Sequence, residues 1–144
     1  MEINTKAKVK AIEEISINST PEKIWNTLFN IHDWPKWNTD IKKIELQGEL
    51  REGTKFKWKS GPGMITSQIK EIVPNKRLSW VGKTLGIKAI HIWEIDQRDG
   101  TMYLRTSESW QGLPARLFKS SSQKTLEKAI HTGLELIKLQ SEKN

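Results

Sequence analysis

Cysteine is absent from this sequence, so a disulfide framework and thiolate metal ligands are excluded, and redox chemistry leaves the compartment open. No uninterrupted apolar run approaches the ~18 residues of a membrane span. The opening Met1-Glu2-Ile3-Asn4 lacks the apolar stretch of a signal peptide. The default expectation is therefore a soluble, cytoplasmic protein. Histidine is scarce: three scattered residues give no His-x-x-x-His spacing, so no metal site is expected. There is also no glycine-rich phosphate loop and no nucleophile elbow, and no cofactor is expected.

Tyrosine and phenylalanine are few, one and three residues, whereas tryptophan is abundant at seven. Each buried aromatic removes about 150–250 Å² from water. At roughly 25 cal/mol per Å² this is worth several kcal/mol as an upper bound. Such a set suits a core, and it equally suits the wall of an apolar ligand site. Acidic residues are outnumbered 17 to 24, giving a net charge of +7. The excess recurs at single outward positions, as where Lys55, Lys57 and Lys59 alternate with Phe56 and Trp58. That is a solvated sheet face, and no nucleic-acid partner is expected. Peripheral contact with an anionic lipid surface stays open, and nothing sets the oligomeric state.

At 144 residues the chain fits one domain over residues 1–144. Residues 9–17 alternate as a first strand. Thr20 followed by Pro21 starts a helix, with Ile24, Trp25, Leu28 and Phe29 at helical spacing. Asp33 is placed to cap a second, short helix in which Trp34 and Trp37 stand one turn apart. His32 beside it is read as a surface or capping residue rather than a catalytic one. Residues 41–47, 55–60, 64–73 and 77–83 read as strands separated by turn clusters, and such short connections imply an antiparallel meander. Alternation breaks among Ile41, Ile44 and Leu46, and again among Ile69, Ile72 and Val73. A bulge is expected in each. After Gly112 the period changes to helical, and one helix is predicted to run to about Gln140. Its stripe is Phe118, Ser122, Leu126, Ile130, Leu134 and Ile137, with Ala129 and Gly133 alongside. The order gives an α+β class with helices on one face of an antiparallel sheet.

The chain is organised around residues 87–96 and 101–111, two long strands joined at Gln97-Arg98-Asp99-Gly100. Facing Asp96 with Thr101 puts His91 opposite Thr106, Trp93 opposite Leu104 and Ile95 opposite Met102. Ala89, His91, Trp93, Ile95, Met102, Leu104, Thr106, Glu108 and Trp110 then share one mostly apolar face. His91 and Glu108 become diagonal neighbours, roughly 7–8 Å apart at Cα. Two readings follow. The pair is satisfied internally as buried polar groups usually are, or the face lines a cavity in which they are the polar anchors.

Thr20-Pro21-Glu22-Lys23-Ile24-Trp25 and then Trp34-Pro35-Lys36-Trp37-Asn38 resemble the opening of START-like proteins of the polyketide cyclase/dehydrase and lipid-transport superfamily, SRPBCC. The segment from Gly48 to Thr54 is similar to that superfamily's glycine-bearing connection between its second and third strands. Val73-Pro74-Asn75-Lys76-Arg77-Leu78-Ser79-Trp80 and Thr106-Ser107-Glu108-Ser109-Trp110-Gln111-Gly112 match its habits too. The resemblance covers nearly the whole chain in order. It implies a helix-grip fold, in which a curved antiparallel sheet of about seven strands wraps a long C-terminal helix. Two short helices are implied between the first two strands, and a deep cavity between sheet and C-terminal helix.

The superfamily includes aromatase/cyclases, lipid carriers, hormone receptors, ligand-binding allergens and co-chaperone modules, so the likeness names no reaction. Three functions are carried forward. The first is binding of a small hydrophobic or aromatic molecule, a lipid among the candidates. Its walls would be Trp58, Trp80, Trp93, Leu104, Thr106, Trp110, Leu126 and Ile130, with His91 and Glu108 orienting its polar end. The second is a cyclase/dehydrase-type enzyme using His91 and Glu108 to move protons. The third is a protein-interaction or co-chaperone-like module using the basic outer sheet.

Overall fold

Residues 1–143 are described by the computed structural model. Strand β1 (Val9–Ile17) leads through Thr20 into α1 (Pro21–Phe29). Thr20 caps as expected: its hydroxyl accepts the Lys23 amide at 3.2 Å, and Pro21 occupies the first turn. A short 3-10 turn, Ile31–Asp33, then enters α2 (Trp34–Trp37). Asp33 does not cap α2. Its backbone is already helical and its carboxylate pairs with Lys36 at 2.9 Å instead. Trp34 fixes the angle between the helices, its Nε1 donating to the Leu28 carbonyl at 3.0 Å. His32 is exposed.

Six strands follow: β2 (Ile41–Glu45), β3 (Lys55–Ser60), β4 (Gly63–Val73), β5 (Arg77–Thr84), β6 (Ile87–Arg98) and β7 (Thr101–Gln111). With β1 they make one seven-stranded antiparallel sheet in the order β1-β7-β6-β5-β4-β3-β2. Register breaks fall between Ile41 and Lys43 and between Ile69 and Glu71, where the lost alternation foretold bulges.

The last helical segment is not continuous. It divides at Phe118 into α3 (Leu113–Leu117) and α4 (Lys119–Ser141). Phe118 itself has φ −113° and ψ 47°, outside helical values. Packing sets the break rather than a local breaker. Pro114 of α3 lies against Gly86 in the β5–β6 hairpin, whereas α4 turns away along the inner face of the sheet.

α4 buries Leu126, Ile130, Leu134 and Ile137, as the stripe predicted, but Phe118 at the stripe's start is exposed. Helix and sheet enclose two apolar clusters. The larger joins Leu134 and Ile137 to Trp93, Leu104, Trp80 and the side chains of α1 and α2. The smaller joins Leu126 and Ile130 to Val9, Ala115, Ala11 and Trp110.

Polar groups of α4 also fasten it to the outer margin of β1. The Gln123 amide donates to the Lys10 carbonyl at 2.8 Å and its oxygen accepts the Lys10 amide at 3.1 Å. Lys138 donates to the Ser16 carbonyl at 2.8 Å, and the Glu142 carboxylate accepts the Asn18 amide at 2.7 Å. Between them His131 Nδ1 lies 2.6 Å from Glu13 Oε1. That hydrogen bond, with the carboxylate's charge, raises the His131 pKa above the ordinary value. A raised histidine pKa adds stability that is complete below the unfolded value and lost as pH rises through the folded one. We expect melting temperature to fall slightly on moving from mildly acidic pH to above the raised pKa. His131→Gln should flatten that part of the profile in a scanning-calorimetry series. The pair is solvent-exposed, so the step is small. An unchanged slope in the variant would assign it to other groups.

Candidate functional site

The β6–β7 hairpin turns in two residues, Asp99 and Gly100, both left-handed at φ 50° and 79°. This is tighter than the four-residue connection predicted from sequence: β6 runs on to Arg98, while β7 starts at Thr101 as expected. The register therefore shifts by two residues. His91 stands directly opposite Glu108, Trp93 opposite Thr106 and Ile95 opposite Leu104. An even shift leaves every side chain on the face assigned to it. The diagonal relation predicted for His91 and Glu108 becomes direct contact.

Read across the sheet, three rows define the site. The middle row is Ala11, Glu108, His91, Trp80 and Ile69. Beside it on one side lie Glu13, Thr106, Trp93 and Leu78. On the other side lie Val9, Trp110, Ala89, Gly82, Ser67 and Phe56, small at its centre. The imidazole of His91 sits between two indoles, 4.8 Å from the Trp80 ring and 5.0 Å from the Trp93 ring.

A continuous polar network crosses this apolar face. His91 Nδ1 is 2.9 Å from Glu108 Oε1, and Nε2 is 2.7 Å from Thr106 Oγ1. Trp110 Nε1 donates to the other oxygen of Glu108. Nδ1–H donates to the carboxylate, and at Nε2 the threonine hydroxyl can donate to a neutral ring or accept from a charged one. Thr106 has no exposed surface, whereas the His91 and Glu108 side chains keep 12% and 13%. They are neither turned out to bulk solvent nor sealed in. Each Glu108 oxygen holds one N–H donor, which leaves acceptor capacity for more. Trp93 Nε1, by contrast, is buried without a partner among the described residues.

The remaining predicted wall residues divide. Trp80 and Trp93 flank His91, and Trp110 joins the network. Leu126 and Ile130 pack beside Trp110. Leu104 is wholly buried in the larger cluster as flooring. Trp58 stands apart, donating to Ser67 Oγ at 3.0 Å and meeting Trp34 edge-on at 5.8 Å.

Trp34 is the residue sequence reasoning left out. Its ring lies within 6.2 Å of the rings of Phe56, Trp58 and Trp80. Its one-turn spacing from Trp37 was the available signal. Ala11 and Gly82 had none, because only the strand register brings them beside the site. At the far end of the sheet a separate, open groove of about 810 Å³ is lined by charged side chains including Glu14, Arg77, Glu94 and Arg98. It borders neither His91 nor Glu108.

A helix gripped by a curved seven-stranded sheet has counterparts. The profile of the family described as polyketide cyclase / dehydrase and lipid transport matches residues 8–142. The chain belongs to that family. No curated protein matches the sequence. Among solved structures, a hypothetical protein of Helicobacter pylori superposes with a TM-score of 0.86 at 18% identity, over 97% of this chain and 92% of that one. A START superfamily protein of Mycobacterium smegmatis gives 0.69 at 13% identity, over 89% and 96%. The di-domain ARO/CYC StfQ from the steffimycin biosynthetic pathway gives 0.77 at 12% identity, over 93% of this chain and 50% of that one. At such identities these likenesses speak for the fold alone. Family membership supports a fold of the ligand-binding or cyclase type.

Proposed function

We propose that the protein binds a small hydrophobic molecule against the inner face of the sheet, with a hydroxyl or other hydrogen-bond donor of that molecule seated on Glu108. One observation carries the reading: a hydrogen-bonded His91–Glu108 pair, still partly exposed, stands in an otherwise apolar and aromatic surface. Ligand sites are built this way, mostly apolar with a few fixed polar groups. The neighbours of the pair in the ladder are small, with Ala11 opposite Glu108 and Ala89 opposite Trp110. Because His91 and Trp110 already donate to both carboxylate oxygens, a further acceptor such as a ligand carboxylate fits poorly.

The test uses 1-anilinonaphthalene-8-sulfonate as a fluorescent reporter, displaced by 2-naphthol or by naphthalene. The wild type should prefer 2-naphthol by at least about tenfold, the scale of a hydrogen bond to a charged acceptor. Glu108→Gln should narrow the gap and Glu108→Leu erase it. Absence of saturable dye binding, or the same preference in both variants, would sink the proposal.

Gly133 offers a second measurement. A Cβ there would meet Trp93 Cη2 at 3.5 Å, ordinary contact, so packing does not forbid alanine. Gly133→Ala should stabilise the helix by up to about 1 kcal/mol. Gly133→Leu, reaching over Trp93, should weaken dye binding, and equal binding would place the ligand elsewhere.

A catalytic reading has its own support in the Thr106–His91–Glu108 relay, in which a carboxylate orients an imidazole. On that reading, a ligand proton delivered to the pair would be passed on rather than merely held. Turnover of a reactive polyketide mimic, lost in both His91→Gln and Glu108→Gln, would distinguish it from binding alone.

A further inference from the structure

The end of the molecule formed by the β3–β4 and β5–β6 turns and α3 carries large apolar side chains in water. Leu85 is 66% exposed, Leu117 67% and Phe118 64%, with Leu113 and Met64 also exposed. Close contacts join the elements that carry them. The Leu85 side chain lies over Gly63, next to Met64, and Gly86 touches both Pro114 of α3 and Gly112 before it. Inner-face residues leading toward this end, Ile65, Thr84, Ile87 and Ala89, are only half-buried.

The charge around the patch has one sign. The three segments that meet there, residues 53–70, 72–93 and 109–126, contain no aspartate or glutamate. They carry Lys59, Lys83, Lys88, Arg116, Lys119 and Lys124, all exposed. None of these six enters an ion pair among the described residues. Lys83 and Lys88 even face each other directly across the β5–β6 ladder, a placement that costs stability in isolation.

From these observations we propose that this end of the protein docks on an anionic lipid bilayer, with Leu85, Leu117 and Phe118 entering the interface and the surrounding cations meeting lipid headgroups. Apolar tips within a ring of unpaired lysine and arginine are the two complementary halves of interfacial binding. A nucleic acid would use the cations and leave leucine and phenylalanine in water. The docking holds whether or not the inner face binds a ligand, and the closing experiment reads membrane attachment without one.

Co-flotation with phosphatidylcholine vesicles containing one-third phosphatidylserine is the measurement. The wild type should float with these vesicles and much less with phosphatidylcholine alone. Lys83→Glu with Lys88→Glu should lower the partition coefficient by tenfold or more, given about fivefold per basic residue at such a surface. Leu85→Ser with Phe118→Ser should also lower it at least tenfold and leave a weaker, more salt-sensitive residue of binding. All four positions are exposed, so melting temperature serves as the folding control. No flotation of the wild type overturns the proposal. So does undiminished flotation of the Leu85/Phe118 variant, or retention on an acidic protein or heparin column without vesicle binding.

Discussion

Trp80→Ala is expected to destabilise the protein by about 3–5 kcal/mol, the range for removing a buried large aromatic. For a chain of this size that corresponds to a fall in melting temperature of roughly 10–15 °C. Trp80 is 4% exposed, and its ring meets Trp34 at 5.6 Å, Phe56 at 6.2 Å and His91 at 4.8 Å. Those neighbours come from α2, β3 and β6, so no single element can move in to fill the gap. The variant also removes one of the two rings that hold the His91 imidazole. Urea unfolding gives the first quantity, and the His91 side-chain NMR signals give the second. Loss of less than about 1 kcal/mol would mean that the aromatic layer collapses readily. His91 would then owe its orientation to Glu108, Thr106 and Trp93.

Gly112→Ala should be nearly as damaging for a different reason. Gly112 adopts φ +127°, and a Cβ there would lie 2.2 Å from the Gly86 carbonyl oxygen, a backbone atom with no freedom to swing aside. Strain of this kind costs on the order of 1–3 kcal/mol before any steric clash is added. Gly100 supplies the control. It also has a positive φ, +79°, but nothing within 4 Å of its Cβ position, so Gly100→Ala isolates the conformational part. The difference between the two variants in chemical denaturation measures the contact that seats α3 on the β5–β6 hairpin. Equal losses would show that the seat adjusts at little cost.

How far the fold could be read in advance depended on how local its causes were. β1, β3 and β7 fell where alternation put them, and Thr20 and Pro21 mark α1 by chemistry confined to one turn. The hairpin register was harder. Gln97 and Arg98 looked like turn residues, yet the handedness of the strands favours the two-residue Asp99-Gly100 turn, and the flanking residues pair. In the same way Leu85 takes a left-handed φ of 48° with Gly86, a conformation leucine does not advertise. The break at Phe118 has no glycine or proline to announce it and follows from contacts distant in sequence.

His91 and Glu108 were legible as a pair because side-chain alternation survives an even register error. The row of small residues beside them was not. It exists only once six strands are laid side by side.

Gln123 has a consequence beyond holding a helix. With a single amide it occupies the hydrogen-bonding positions that a second molecule would need at Lys10 in order to add another strand. Its side chain thus acts as a one-residue counterfeit of a neighbouring chain and denies that site to polymer growth. The same contact that closes the grip guards this edge of the sheet.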